Sequence, residues 1–341
     1  MRNATYPAAA LALTLPLAAG PAAAQSPEEK LREIDWSGLL EIEAGYEDPR
    51  EGAAASDLAV ATAELGATAQ LQERTQATVV LLHEDGSDEE IEVDQAHIQM
   101  RDASGTWGLR AGRLYLPWGD YTTYTVSDPL TLALGETRET AVEGTFRRGG
   151  LTARAYAYNG ELQPDGEDRI DSAGASLAYR LPVGGATLTA QAGYTSSLGD
   201  ADTLQGAVFE ATDGYTVDET VGAWDASLRL EGDRLSLIGE YMAAVEAFPA
   251  ASLGVSEAPR PRAGSLEAAW HTQAWQRKAT LAVGYQGTEE ATEAFGLPEE
   301  RLVAAASVLL RPATRLSLEW RSDDYAEADG DAVTAQLALT F

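Results

Sequence analysis

From Trp36 onward, apolar and polar residues alternate with a period of two. Trp36, Gly38, Leu40, Ile42, Ala44 and Tyr46 share one parity, while Ser37, Glu41, Glu43 and Gly45 take the other. The pattern returns between Ala59 and Gln70. It returns again where Leu188, Ala190, Ala192 and Tyr194 oppose Thr187, Thr189, Gln191 and Gly193. Strict alternation marks a strand with one apolar and one polar face. About sixteen such segments of roughly ten residues follow one another, the length a tilted strand needs to cross a bilayer.

The connectors alternate too. Short ones read "QERT", "DASG", "RRGG", "LPVGG", "EGD" and "RPAT"; long ones include "NGELQPDGEDR", residues 197–220 and 247–261, and "GTEEATEAFGLPEE". A membrane barrel has this asymmetry, with tight turns on one rim and long loops on the other. Trp36, Tyr46, Trp107, Tyr179, Tyr194, Trp270, Tyr285 and Trp320 lie near segment ends, where aromatic rings meet lipid headgroups. The stretch "DAVTAQLALTF" alternates up to Phe341. A closed barrel has no free edge, so its last strand can pair to its final residue. A terminal Phe also resembles the signal that outer-membrane proteins present to the barrel-assembly machinery. The expected fold is all-β: a transmembrane antiparallel up-and-down β-barrel of about sixteen strands. A soluble β-protein is the rival, since its strands would alternate as well.

Composition adds three points. Residues 1–24 have one early arginine, an apolar run and a closing Ala-Ala-Ala, the pattern of a secretory signal cut near Ala24. Residues 25–35 then read as a short polar lead and 36–341 as the barrel. There are 24 basic and 54 acidic residues and no cysteine. The net charge of −30 argues against nucleic acid as a partner, which needs a basic surface.

One connector breaks the rhythm. From Leu114 to Arg138 the chain reads "LYLPWGDYTTYTVSDPLTLALGETR". It is the third outer loop, and it is too apolar to face water. It is expected to fold into the lumen and narrow it. Asp128-Pro129 is expected to start a turn. Gly119 and Gly135 are expected to bend the chain at either end.

The span from Gly112 to Ala141, "GRLYLPWGDYTTYTVSDPLTLALGETRETA", resembles the signature of the LbtU-type siderophore porins, which combine "GR-Y-LP-G", "SDPLTL" and "GETRE". The resemblance implies an outer-membrane channel of a Gram-negative cell that passes iron-siderophores without TonB. Gly112, Arg113, Tyr115, Pro117, Gly119, Ser127, Asp128, Pro129, Leu130, Gly135, Glu136, Thr137, Arg138 and Glu139 carry it. A general or nutrient-selective diffusion porin is the alternative. Trimers are common among sixteen-stranded porins, so a homotrimer is one open form.

Parity places Arg110, Glu143, Arg147 and Arg154 on the inner wall beside that loop, with Glu41, Glu43, Glu64, Glu240, Glu267 and Glu319 on other inner positions. The candidate pore and substrate-binding set is Arg110, Arg113, Tyr115, Asp128, Glu136, Arg138, Glu143, Arg147 and Arg154. Its expected partner is a ferric siderophore or another small anionic solute, held by guanidinium groups. The competing reading is that these charges only pair and brace the wall. His83, His97 and His271 are widely spaced and form no catalytic or metal-ligand pattern, so no enzyme and no cofactor are expected.

Overall fold

Sixteen antiparallel strands close into one barrel. The computed structural model describes residues 34–49, 53–87, 90–164, 166, 169–212, 214–325 and 329–341. In chain order the strands are β1 Ile34–Pro49, β2 Ala55–Gln72, β3 Thr75–Glu84, β4 Glu92–Arg101, β5 Trp107–Tyr115, β6 Arg138–Arg148, β7 Leu151–Asn159 and β8 Ser172–Val183. The second half comprises β9 Ala186–Thr195, β10 Ala223–Gly232, β11 Leu235–Ala244, β12 Arg262–Ala274, β13 Arg277–Glu289, β14 Glu300–Arg311, β15 Thr314–Asp324 and β16 Asp329–Thr340. Each strand pairs with its chain neighbour, and β16 pairs with β1 to close the ring. The expected leader, residues 1–24, lies outside the described residues. The polar lead, read as ending at Asp35, gives way sooner, because β1 begins at Ile34. Among the described residues no helix is long and apolar enough to cross a membrane.

The alternation sorts side chains by face. On β10, Leu228 is 58% exposed while Asp225 and Ser227 are buried. Leu266, Leu281, Val283, Leu302 and Leu318 stand outward in the same way. This apolar exterior with a polar interior is the pattern of a barrel in lipid, the inverse of a soluble core.

Closure depends on two residues. Gly38 and Phe341 exchange both backbone hydrogen bonds, each at 3.1 Å. The Phe341 ring lies over Gly38, and a Cβ on that glycine would collide with it. Deleting Phe341, or substituting Gly38→Leu, is expected to lower the fraction of assembled barrel. The measurement is heat-modifiable migration on gels; full assembly of both variants would contradict this reading of closure.

One tight turn carries no sequence signal. Ala274 and Arg277 are joined by Trp275 and Gln276, at φ 50° and 62°. Two positive φ values are what a two-residue hairpin needs, and Asn or Gly normally supplies them. Here a tryptophan and a glutamine do, so no short turn is legible in the sequence.

The long loops gather on the opposite rim. Three α-helices lie there, α1 Leu130–Gly135, α2 Asp202–Thr212 and α3 Thr292–Phe295. Leu116, Trp118 and Leu134 pack with Leu162, Leu198, Leu204, Val208, Phe248 and Phe295 in one apolar cluster drawn from several loops. The connector after β5 therefore shares its apolar cover with loops far away in sequence.

Candidate functional site

The connector from Leu116 to Thr137 is irregular over most of its course, so its amides need acceptors. Inner-wall carboxylates supply them. Asp120 N–H and Tyr121 N–H donate to Glu240 on β11, at 2.6 and 3.2 Å. Tyr124 N–H donates to Glu267 on β12 at 2.8 Å, and Thr123 Oγ1 joins it. Val126 and Ser127 donate to Glu319 on β15. Leu130 N–H then reaches Gln286 Oε1 on β13 at 2.9 Å, and Thr131 Oγ1 returns to Glu240 at 2.8 Å. A carboxylate that accepts two donors is a strong, directional tie. Arg229 adds an ion pair to Asp120 at 2.6 Å.

Tyr124 fixes the middle of the segment. Its ring packs against Ala269, Ala282 and Ala305, a dent made by small side chains on β12, β13 and β14. Its hydroxyl donates to Ser236 Oγ at 3.2 Å, and its ring meets His271 edge-on.

Two local expectations need correction. Asp128-Pro129 starts a helix and not a simple turn: the Pro129 carbonyl accepts Leu132 N–H at 2.9 Å, at the head of α1. Gly119 does bend the chain, with φ 75°, but Gly135 is inside α1 without a positive φ. Gly135 is required for close approach, since a Cβ there would run into Met242 and the Tyr121 hydroxyl.

Seven of the nine candidate residues form three groups. Arg110 pairs with Glu143, and Arg154 Nε lies 3.9 Å from the same carboxylate, which also accepts Thr145 Oγ1. Tyr115 and Arg138 meet on Asp94: the phenol donates at 2.6 Å, and the guanidinium bridges Asp94 and Glu92 at 2.8 and 2.9 Å. Arg138, read as part of the loop, is the first residue of β6. Asp128 and Glu136 stay on the connector. Asp128 offers its carbonyl to Arg301, which is paired with Asp323 at 2.6 Å. Arg113 and Arg147 make no ion pair among the described residues; Arg147 lies near Arg154, and Arg113 lies near the Glu139 and Asp202 carboxyls. Asp94 and Gln286 were missed. Asp94 follows Glu92 by two residues, hence shares its side of β4, and that spacing was its only signal.

Where the connector meets the loop before β10, three acids crowd. Asp202 N–H donates to the Glu136 carbonyl, and Asp202 Oδ1 accepts Arg138 N–H. Burial pushes the Glu136 carboxyl up to about 7, helped by Asp202 and Asp128. Burial likewise raises Asp200 and Asp202 to about 6. These groups bind protons more readily when the loops are packed than when they are free. Between about pH 4 and 7, loop packing is therefore expected to weaken as pH rises. Amide hydrogen exchange in residues 130–138 and 198–204, corrected for intrinsic rates, should show more protection at pH 5 than at pH 8. The reverse order would contradict the assignment.

Among the described residues, no group of three or more His, Asp or Glu is placed to hold a metal ion. No family model matches the chain. In sequence it is similar to a UPF0422 protein of Legionella pneumophila (strain Paris), 27% identical over 316 residues, which covers 86% of this chain and 59% of that relative. The chain thus spans under two thirds of the length of the curated relatives it matches first. In structure it is similar to OprB of Pseudomonas putida in its high-pH form, at TM-score 0.64 and 9% identity, covering 92% of this chain and 96% of that one. It is also similar to the anion-selective porin from Comamonas acidovorans, at TM-score 0.61 and 12% identity, covering 90% and 99%. The fold class follows: a closed sixteen-stranded barrel of the porin type.

Proposed function

We propose that the protein is an outer-membrane diffusion channel, and that the connector between β5 and β6 lies across its lumen and sets the narrowest section. The observation that carries this reading is the set of ties from residues 120–131 to Glu240, Glu267, Gln286 and Glu319. Strand parity puts all four on the inner face, and that supports a segment lying inside the ring. The short turns then face the periplasm and the long loops face outward.

The solute class we assign is the iron-siderophore complex, passed without TonB. Its support is the resemblance between Gly112 and Ala141; a general porin is the alternative. Uptake of labelled ferric siderophores in a deletion strain separates the two. Loss of one siderophore's uptake supports the assignment, whereas retained uptake of every siderophore leaves a general porin.

Charge in the lumen refines the test. Arg110 and Arg154 share one buried carboxylate, Glu143, so two cations meet one anion. The residual positive charge is expected to act on anionic solutes. In planar bilayers under a salt gradient, R110A/R154A should shift the reversal potential towards cation preference. An unchanged potential would mean that these arginines only brace the wall.

A further inference from the structure

A chain of hydroxyl and imidazole groups holds the middle of the connector. The Tyr124 hydroxyl donates to Ser236 Oγ on β11 at 3.2 Å. Ser236 Oγ lies 2.9 Å from His271 Nε2 on β12, and His271 Nδ1 lies 3.2 Å from Thr280 Oγ1 on β13. Ser236 is opposite Ala269, and His271 is opposite Thr280. Register therefore puts all three on the lumen-side parity, with the alanine dent that receives the Tyr124 ring.

The direction of each bond follows from the first. Ser236 Oγ accepts from Tyr124, so its own proton goes to His271 Nε2, which is then bare. The ring's one hydrogen is on Nδ1 and goes to Thr280 Oγ1. The relay from Tyr124 to Thr280 is complete only with a neutral imidazole. A second ring proton would sit on Nε2 and point at Ser236 Oγ. Ser236, only 1% exposed, would lose its acceptor and have to accept from two donors at once. A buried donor left without a partner is costly, and Tyr124 is the member of the relay that can leave.

The charges around the ring do not remove this conflict. On its own strand, Glu267 stands four residues away on the same face and accepts the Tyr124 N–H at 2.8 Å. On the β11 side the ring has Asp233 and Arg234 of the turn, where the Arg234 carbonyl accepts His271 N–H at 2.9 Å. Beyond them is Glu231 of β10, opposite Ser236 and paired with Arg229 at 3.3 Å. On β13 it has Lys278, two residues from Thr280 on the same face. From the connector it meets the Tyr124 ring edge-on. Three acids thus stand against three bases, and the direction of the hydrogen bonds decides.

Protons have a route to the ring. A cavity of about 760 Å³ lies at the short-turn rim and is bordered by Asp233, Arg234, His271, Gln273, Lys278 and Thr280. Gln273, Lys278 and Thr280 share the lumen-side parity of His271.

We propose that His271 is a proton-operated catch on the connector. Neutral, it holds Tyr124 seated through Ser236; protonated from the short-turn side, it breaks the relay and frees the middle of the connector. Histidine is the side chain that changes charge between pH 5 and 8. Resting on the constriction proposed above, release of the connector widens the pore, so acid on the short-turn side opens the channel.

Amide hydrogen exchange of the full chain in detergent micelles, corrected for intrinsic rates, reads the seating; single-channel recording reads the pore. In the wild type, exchange of residues 123–127 should quicken about ten-fold between pH 7.5 and 5.5, with more frequent high-conductance openings. H271Q keeps an acceptor towards Ser236 and takes no proton, so its exchange should be the same at both pH values. It also keeps the ties to Glu240, Glu267 and Glu319, and so separates their titration from that of His271. S236A breaks the relay without touching either ring. Its exchange should be flat with pH and faster than wild type at pH 7.5. The buried acids Glu136, Asp200 and Asp202 shift packing the other way with pH and cannot imitate the response. Heat-modifiable migration confirms that each variant is folded. Wild-type exchange that is flat over this range, or an equal acceleration in H271Q and S236A, overturns the proposal. Acceleration in acid that both variants abolish, with conductance unchanged, supports the catch and counts against the constriction alone.

Discussion

Excising residues 122–134 is expected to give a barrel that still assembles and conducts several times more current than the wild type. The deletion removes Tyr124, α1 and the ties to Glu267 and Glu319, but none of the sixteen strands. The ends that remain are already adjacent, because β5 and β6 pair from Trp107 opposite Phe146 to Tyr115 opposite Arg138. Shortening an already closed hairpin loop has a small entropic effect. If the connector narrows the lumen as proposed, solute selectivity should fall with the rise in conductance, since the same segment carries Asp128 and Glu136. Single-channel recording with a heat-modifiability control decides the matter. Unchanged conductance in an assembled variant would show that the connector does not set the pore.

The strands were legible because a lipid-facing wall imposes period two on every segment, and the connector after β5 was legible because its apolar content needed cover. What covers it was not. Tyr124 N–H and Glu267 are 143 residues apart, and Val126 and Glu319 are 193 apart. No local pattern links residues at such a distance; parity shows that Glu267 faces inward but not what it meets there. The pairing of Arg110 with Glu143 lay closer to the surface of the sequence. The two are opposite one another on adjacent strands, so parity and a correct register together place them in contact. The shared apolar cluster of the loops was hidden for another reason. Leu204 and Val208 occupy one side of a helix whose partners lie on several other loops, and a one-dimensional pattern does not say which loops converge.

The carboxylate ties make a second large effect testable without deleting any chain. Glu240, Glu267 and Glu319 are each almost fully buried, and each accepts two or more donors from the connector. A hydrogen bond to a charged group contributes about 1.5–3 kcal/mol, and a buried donor left without a partner costs a further ~1–3 kcal/mol. Even with strong non-additivity, replacing all three by alanine should cost the seated connector about 5 kcal/mol or more. A shift of that size carries a two-state equilibrium from almost wholly seated to largely free. The triple alanine variant is therefore expected to show a raised mean conductance with frequent transitions between levels. Hydrogen exchange across residues 120–131 should be faster in it than in the wild type. The triple glutamine variant separates charge from geometry. Each glutamine keeps one carbonyl acceptor in place of two carboxylate oxygens, so its conductance and exchange should fall between those of the other two. If the alanine variant instead keeps wild-type conductance and protection, the apolar cover of Trp118, Leu134 and Tyr124 is enough to hold the segment, and the ties contribute nothing to its position.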